Sequence, residues 1–158
     1  MVAAYIGLGS NLDSPVDQVS RALGELNELP QTAMRSHSSL YQSRPMGGMD
    51  QPDYINAVAL VDTGLEPEKL LAELQAIEKV HGRVREERWG ARTLDLDLLL
   101  YGSTKIDTPD LTVPHPGVGE RGFVLYPLYE IAPDLEIPDL GAVSELVNNC
   151  SAEKPKRI

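Results

Sequence analysis

Asp95 and Asp97 stand two residues apart in Leu94-Asp95-Leu96-Asp97-Leu98-Leu99-Leu100, directly after Arg88-Trp89-Gly90-Ala91-Arg92-Thr93. In a strand, alternate residues share a face, so the two carboxylates point the same way with α-carbons about 7 Å apart. Like charges on one face repel, and a purely structural sheet gains nothing from placing them there. A pair of hard cations resolves the repulsion. With no cysteine nearby, such carboxylates suit magnesium or manganese better than zinc. The neighbouring arginines offer forked donors that match phosphate oxygens. Together the residue types and their spacing predict a metal-dependent phosphate-transfer site.

The bulk composition sharpens this expectation. The 158-residue chain carries a net charge of -10, with 42% hydrophobic and 24% charged residues. It is long enough for one domain with a sizeable core, so a single domain over 1–158 is expected, ending in a polar tail at 151–158 that is the one segment suggesting disorder. An acidic chain lacks the broad basic surface that non-specific nucleic-acid binding needs. Yet five of its 14 Lys and Arg residues (Lys79, Arg83, Arg85, Arg88 and Arg92) fall in one short stretch, and nine of the 14 are arginine. That concentration beside an aspartate pair argues for a focused anion site over scattered solvated charges. The single cysteine, Cys150, excludes an internal disulfide. Neither a secretory leader nor a membrane-length apolar run is evident, so a cytoplasmic protein without membrane contact is expected.

The elements that must hold these groups follow from periodicity. Val2 to Leu8 is a short apolar strand leading into a Gly9-Ser10-Asn11 turn. Ser14-Pro15 reads as an N-cap and first helical position, and Val16, Val19, Leu23 and Leu26 recur at helical spacing to about Leu29. Arg35 to Tyr41 and Tyr54 to Asp62 read as strands. Glu66-Pro67-Glu68 opens a second helix carrying Leu70, Leu71, Leu74 and Ile77, and Gly82 ends it. Leu94 to Tyr101 is the fourth strand. This β-α-β-β-α-β order is that of a ferredoxin-like α/β (α+β) fold, a mainly antiparallel sheet flanked by helices. A short helix near Arg121 to Ile131 adds a C-terminal helical extension. Two long loops, 43–53 and 82–92, exceed ordinary connections and are candidates for function.

Other readings stay open at this point. Gly7-Leu8-Gly9-Ser10-Asn11-Leu12 fails as a dinucleotide fingerprint at its sixth position and reads better as a turn, and there is no Walker pattern. Trp89 either anchors the core or packs on a planar ligand. His115, in Thr112-Val113-Pro114-His115-Pro116, is either a structural hydrogen-bonder or a phosphate contact beside Arg121. Glu78 is a helix-edge carboxylate that could cap, pair or bind.

Taken together, these blocks resemble the hydroxymethyl-dihydropterin pyrophosphokinases of folate biosynthesis, from Tyr5 to about Pro138. The likeness rests on 7–12, on Asp50-Gln51-Pro52-Asp53-Tyr54-Ile55-Asn56-Ala57, on Gly82-Arg83-Val84-Arg85 and on 88–97. It continues through Val113-Pro114-His115-Pro116, Arg121-Gly122-Phe123-Val124-Leu125 and 127–133. The resemblance implies pyrophosphate transfer from ATP to the pterin hydroxymethyl group, giving AMP and the pterin diphosphate. It implies that Asp95 and Asp97 hold two magnesium ions with ATP, and that Arg83 and Arg92 serve catalysis with them. It places Gln75, Glu78, Arg85, Arg88, Trp89, Arg92, Leu111, Thr112, His115 and Arg121 near ATP. For the pterin it implies Ser43, Arg44, Pro45, Met46, Tyr54, Asn56 and Phe123, with Trp89 and Asp95 also in reach. A monomer is expected from the same likeness. Two departures stand out: Ala91 replaces the usual proline, and the Arg85-Glu86-Glu87-Arg88 stretch lacks a further lysine that some members carry.

Two rivals compete with this reading. A two-metal nucleotidyltransferase also uses paired aspartates but releases pyrophosphate. A ferredoxin-like regulatory module would bind a small molecule without turnover, and would need neither the aspartate pair nor the arginines.

Overall fold

The structure is a computed structural model that describes residues 1–45, 51–82 and 93–158. The antiparallel sheet is built from β1 (Val2–Ser10), β2 (Thr32–His37), β3 (Tyr41–Ser43), β4 (Tyr54–Thr63) and β5 (Asp95–Tyr101). Helices α1 (Pro15–Asn27) and α2 (Pro67–Val80) supply the two crossovers. β1 lies between β4 and β5, and β2 and β3 share the far edge of β4. This is the ferredoxin-like order expected from the sequence.

Strand alternation sorts the chain into two cores. Ala4, Ile6 and Leu8 of β1, Ile55, Ala57, Ala59 and Val61 of β4, and Leu96 and Leu98 of β5 pack with Val19, Ala22 and Leu26 of α1 and Leu70, Leu74 and Ile77 of α2. The other face carries Val58, Leu99 and Leu100. It is covered by α3 (Gly122–Ile131) through Val124, Leu125 and Leu128, with Val143 from α4 (Val143–Asn148). Short hairpins β6–β7 (Ile106–Asp107 and Thr112–Val113) and β8–β9 (Glu136–Ile137 and Gly141–Ala142) link these pieces.

Four local expectations are corrected. The strand read over Arg35 to Tyr41 is two strands, because Ser38 interrupts the ladder with its own side chain. Its N–H donates to the Val58 carbonyl at 2.8 Å, while its hydroxyl, in place of a backbone carbonyl, accepts from the Val58 N–H at 2.9 Å. Ser14 sits at the N-cap of α1 but in the left-handed region (φ 65°), and its hydroxyl makes no cap bond. The helix gains instead from the Gln18 side chain, which donates to the Asp13 carbonyl at 2.9 Å. α1 also stops at Asn27, two residues short of Leu29. Finally, the polar tail is not a loose end: β10 (Lys156–Arg157) pairs antiparallel with β3.

The two crossover helices are pinned to each other by a buried histidine. His81, at the C-cap of α2, has a fully buried side chain whose Nδ1 meets Gln18 Oε1 and whose Nε2 meets Glu25 Oε1. The Gln18 amide is oriented by its bond to Asp13, so its oxygen faces the ring, and both ring nitrogens confront acceptors. One residue later Gly82 adopts φ +82°, ending the helix as expected from the sequence.

A second polar cluster fastens α3 to the sheet. Glu130 accepts from the Ser39 N–H and hydroxyl and from Tyr41 Oη at 2.6 Å, with the Arg157 guanidinium 3.4 Å away. Burial pushes this carboxyl up, but the Tyr41 and Ser39 bonds and Arg157 together outweigh it and hold its pKa below the usual value of 4.5. A depressed carboxylate contributes stability that is present above its unfolded pKa and is lost as pH falls through the folded one. Thermal melting from pH 7 down through pH 4.5 and below should therefore show a falling midpoint, and Glu130→Gln should flatten that acid limb. Parallel limbs in the two proteins would remove Glu130 from the acid response.

Candidate active site

The site lies on the α3 face of the sheet. Because Leu96 and Leu98 are buried under α1 and α2, Asp95 and Asp97 emerge on the opposite face, half-buried. Register then fixes their neighbours. Gly9 of β1 pairs with Asp95 on one side and Asn56 on the other, and Gly7 pairs with Asp97 and Val58. Adjacent strands are about 4.8 Å apart, so Asn56 and Asp95 face each other across about 10 Å of sheet.

The sequence places Gly9 in a turn, whereas β1 continues through Ser10. Gly7 and Gly9 are thus site-face residues that the motifs alone do not reveal. A signal is present all the same: two glycines at i, i+2 in a strand share a face and mark where something approaches the backbone closely. A methyl group on Gly9 would stand 3.0 Å from Asn56 Nδ2 and 3.7 Å from the Tyr54 ring. Asn56 is buried, and its Oδ1 accepts from Ser43 Oγ at 2.6 Å, which orients the amide so that Nδ2 lies over Gly9. An added methyl on Gly7 would likewise meet the Leu99 side chain at 3.4 Å, so the two glycines make room for Asn56, Tyr54 and Leu99 to pack close over the backbone.

His115 stands at the Asp97 end of this face. It follows β7, its N–H donates to the Leu99 carbonyl, and Nδ1 accepts from the Gly117 N–H at 3.3 Å. Nε2 is left facing Asp97 Oδ1, 3.9 Å away. Burial lowers the His115 pKa below its ordinary value, Asp97 opposes that and Arg121 reinforces it. A neutral ring with Nδ1 already accepting carries its proton on Nε2, aimed where a phosphate oxygen beside Asp97 would sit.

Arg121 and Phe123 come from the start of α3, with the guanidinium 5.9 Å from the ring centre. Arg121 lies flat across Gly117, where an added methyl would sit 2.6 Å from the guanidinium carbon. Gly117→Ala should displace this flexible side chain without disturbing the core. A rise in ATP KM of about tenfold, about 1.4 kcal/mol, is expected with an unchanged thermal midpoint. Unaltered ATP kinetics would show that Arg121 does not serve the nucleotide.

The remaining predicted residues divide clearly. Glu78 is buried, and its Oε2 accepts from the Leu96 N–H at 2.8 Å, between the two aspartates. It thus braces β5 from the α2 side. Gln75 is half-buried one turn earlier on α2. Leu111 turns its side chain into the core, and its backbone bonds to Thr108, whereas Thr112 is exposed on β7. Arg44 is exposed and pairs with Glu153 at 3.5 Å. Ser43, Arg44 and Pro45 line a cleft of about 470 Å³ opposite Arg121 and Phe123. Met46, Arg83, Arg85, Arg88, Trp89 and Arg92, and the departure at Ala91, lie outside the described residues.

Among the described residues, no group of three or more His, Cys, Asp and Glu side chains could hold a metal ion by itself. Two carboxylates on one face fit an ion whose remaining ligands are water and phosphate oxygens, the usual habit of magnesium. No described helix is long and apolar enough to cross a membrane.

Fold and site together define a ferredoxin-like α+β protein with two carboxylates, a buried oriented amide and a partly buried histidine on one sheet face. Residues 5–133 match the family model described as 7,8-dihydro-6-hydroxymethylpterin-pyrophosphokinase (HPPK), and the chain belongs to this family. It is 51% identical over 154 residues to the 2-amino-4-hydroxy-6-hydroxymethyldihydropteridine pyrophosphokinase of Haemophilus influenzae, covering 98% of this chain and 96% of that one. The Pseudomonas aeruginosa protein of the same name is 49% identical over 154 residues, covering 98% of this chain and 95% of its own. In fold, the chain is similar to Plasmodium falciparum HPPK-DHPS solved with pteroate, at a TM-score of 0.76 and 13% identity, over 93% of this chain and 42% of that one.

Proposed function

We propose that this protein transfers pyrophosphate from ATP to the hydroxymethyl group of 6-hydroxymethyl-7,8-dihydropterin. The observation that carries the proposal is the row Asn56–Gly9–Asp95, which sets a buried amide, oriented by Ser43, on the same sheet face as the carboxylate pair. The pterin hydroxyl attacks the β-phosphorus of ATP. A new O–P bond forms as the hydroxyl gives up its proton to solvent water, the bond from the β-phosphorus to the α,β-bridging oxygen breaks, and AMP leaves with that oxygen.

Each residue has a part in that displacement. Asn56 and Ser43 read the pterin edge, Tyr54 and Phe123 sandwich its ring, and the missing side chain at Gly9 makes room for the Asn56 amide over the backbone. Asp95 and Asp97 would hold two magnesium ions, which when bound neutralise phosphate charge and lower the pKa of the attacking hydroxyl. His115 Nε2–H and Arg121 hold phosphate oxygens in line, as do Arg83 and Arg92, with Arg85, Arg88, Trp89, Gln75, Glu78, Leu111 and Thr112 around the nucleotide. No described side chain stands out as a dedicated base, so positioning and electrostatics supply most of the rate. We further propose a cytoplasmic monomer acting as a single domain.

Incubation with ATP, magnesium and the pterin, followed by chromatography of the nucleotides, tests this. AMP formed only when pterin is present supports the proposal. ADP, or free pyrophosphate with a nucleotidylated pterin, would overturn it.

A further inference from the structure

Gly122 opens α3 between Arg121 and Phe123, and it is bare for a specific reason. An added methyl there would stand 2.7 Å from the Glu153 carbonyl oxygen, with Pro155 Cδ at 3.6 Å and Ala152 Cβ at 3.7 Å. The chain after α4 therefore crosses directly over the first turn of α3. It then joins β3: Lys156 pairs with Gln42, Arg157 with Tyr41, and the Ile158 N–H donates to the Leu40 carbonyl at 2.9 Å. Side chains fasten it at both ends. Lys154 stacks over the Tyr126 ring of α3 at 5.5 Å, and Arg157 stacks over Tyr41 at 5.7 Å while donating to its hydroxyl. Glu153 pairs with Arg44 next to Ser43.

The crossing segment thus touches both walls of one cleft. Ser43–Pro45 form one side, Arg121–Phe123 the other, and Ala152–Lys156 run between them. α3 has its own apolar anchorage through Val124, Leu125 and Leu128, so the segment is not what makes the helix fold. It also lies beyond the residues that the family model matches.

We propose that Ala152–Arg157 is a positioning brace for the pterin cleft, fixing the gap between the start of α3 and the end of β3. The proposal rests on the pterin reading given above. A brace on these walls acts first on the pterin side, through Ser43, Arg44 and Phe123, and more weakly on ATP through Arg121 at the N-cap of α3, while Asp95 and Asp97 on β5 lie outside it. Glu153, Lys154, Lys156 and Arg157 act through α3 and β3 and need not touch substrate themselves.

The test measures direct pterin binding, by quenching of its fluorescence, together with ATP KM and AMP formation. Three variants are compared with wild type: Gly122→Ala, deletion of residues 153–158, and the two combined. Gly122→Ala and the deletion should each weaken pterin binding about tenfold, with a clearly smaller rise in ATP KM, within about threefold, because Arg121 shares the α3 wall. The combined variant should be no worse than the deletion alone, because the carbonyl that clashes with the added methyl has gone. Effects that multiply would show that Gly122 acts on Arg121 or Phe123 directly, and would overturn the brace. Unchanged pterin binding in the deletion would overturn it too, as would parallel loss of ATP and pterin. Should the deletion fail to fold, Arg157→Ala replaces it: selective pterin weakening in both point variants supports the brace, and its absence refutes it. Wild type that binds pterin without forming AMP would refute the transfer reaction yet leave the brace measurable. Wild type that does not bind pterin refutes both.

Discussion

Asp97→Ala is expected to lower kcat by about 10³-fold under saturating ATP and magnesium, with pterin affinity within about threefold of wild type. The split follows from geometry. Asp97 shares its row with Gly7 and Val58, one row away from Asn56 and Gly9, so the residues proposed for the pterin survive its loss. What disappears is half of the carboxylate pair and the partner facing His115 Nε2. The variant should melt no lower than wild type, because removing one of two like charges on a face relieves repulsion, a common trade at functional sites. Asp97→Asn, similar in shape but neutral, should behave alike. AMP formation, pterin fluorescence and a thermal melt decide the matter. Full turnover in either variant would take Asp97 out of the mechanism, and a collapsed melt would recast it as structural.

Gly9→Val is expected to have the opposite signature: pterin binding weakened about 100-fold or more, roughly 2.7 kcal/mol, with ATP KM little changed. Valine suits a strand, so β1 should persist. Its Cβ, however, begins 3.0 Å from Asn56 Nδ2, and its methyls would push the amide off Ser43. The nearest atoms to that Cβ belong to Asn56, Tyr54 and Ile55, so the damage falls on the pterin side. Titration of pterin fluorescence, with ATP kinetics in parallel, measures the effect. Wild-type pterin affinity in Gly9→Val would mean that the ring lies elsewhere.

What can be read from the sequence, and what cannot, follows a physical boundary. Periodic apolar residues announce elements whose one face is buried, so β4, β5, α1 and α2 are legible in Ile55, Ala57, Leu96, Leu98, Val19, Leu26, Leu70 and Leu74. The Asp95–Asp97 alternation carries its own meaning for the same reason. Ser38 is not legible, because a hydroxyl standing in for a backbone carbonyl leaves no periodic trace. Nor is β10, where two cationic residues pair with a strand from the other end of the chain. Gly7 and Gly9 are visible as glycines, but their function depends on register with Asn56 and Asp95, and pairing partners are not a local property.

The bond from Leu96 to Glu78 and the pairing of β10 with β3 have a consequence beyond the site. Unpaired strand edges are templates on which another chain can grow, and folded proteins blunt them with charge, short strands and irregularities. At β5 the outer Leu96 N–H is already spent on Glu78. At β3 the outer strand is only Lys156–Arg157, both exposed cations. At β2 the register breaks between Met34 and Ser36, and Arg35 of that stretch is tied to Asp62. Each margin of the sheet therefore resists the addition of a foreign strand, a safeguard against edge-to-edge aggregation when the protein is concentrated.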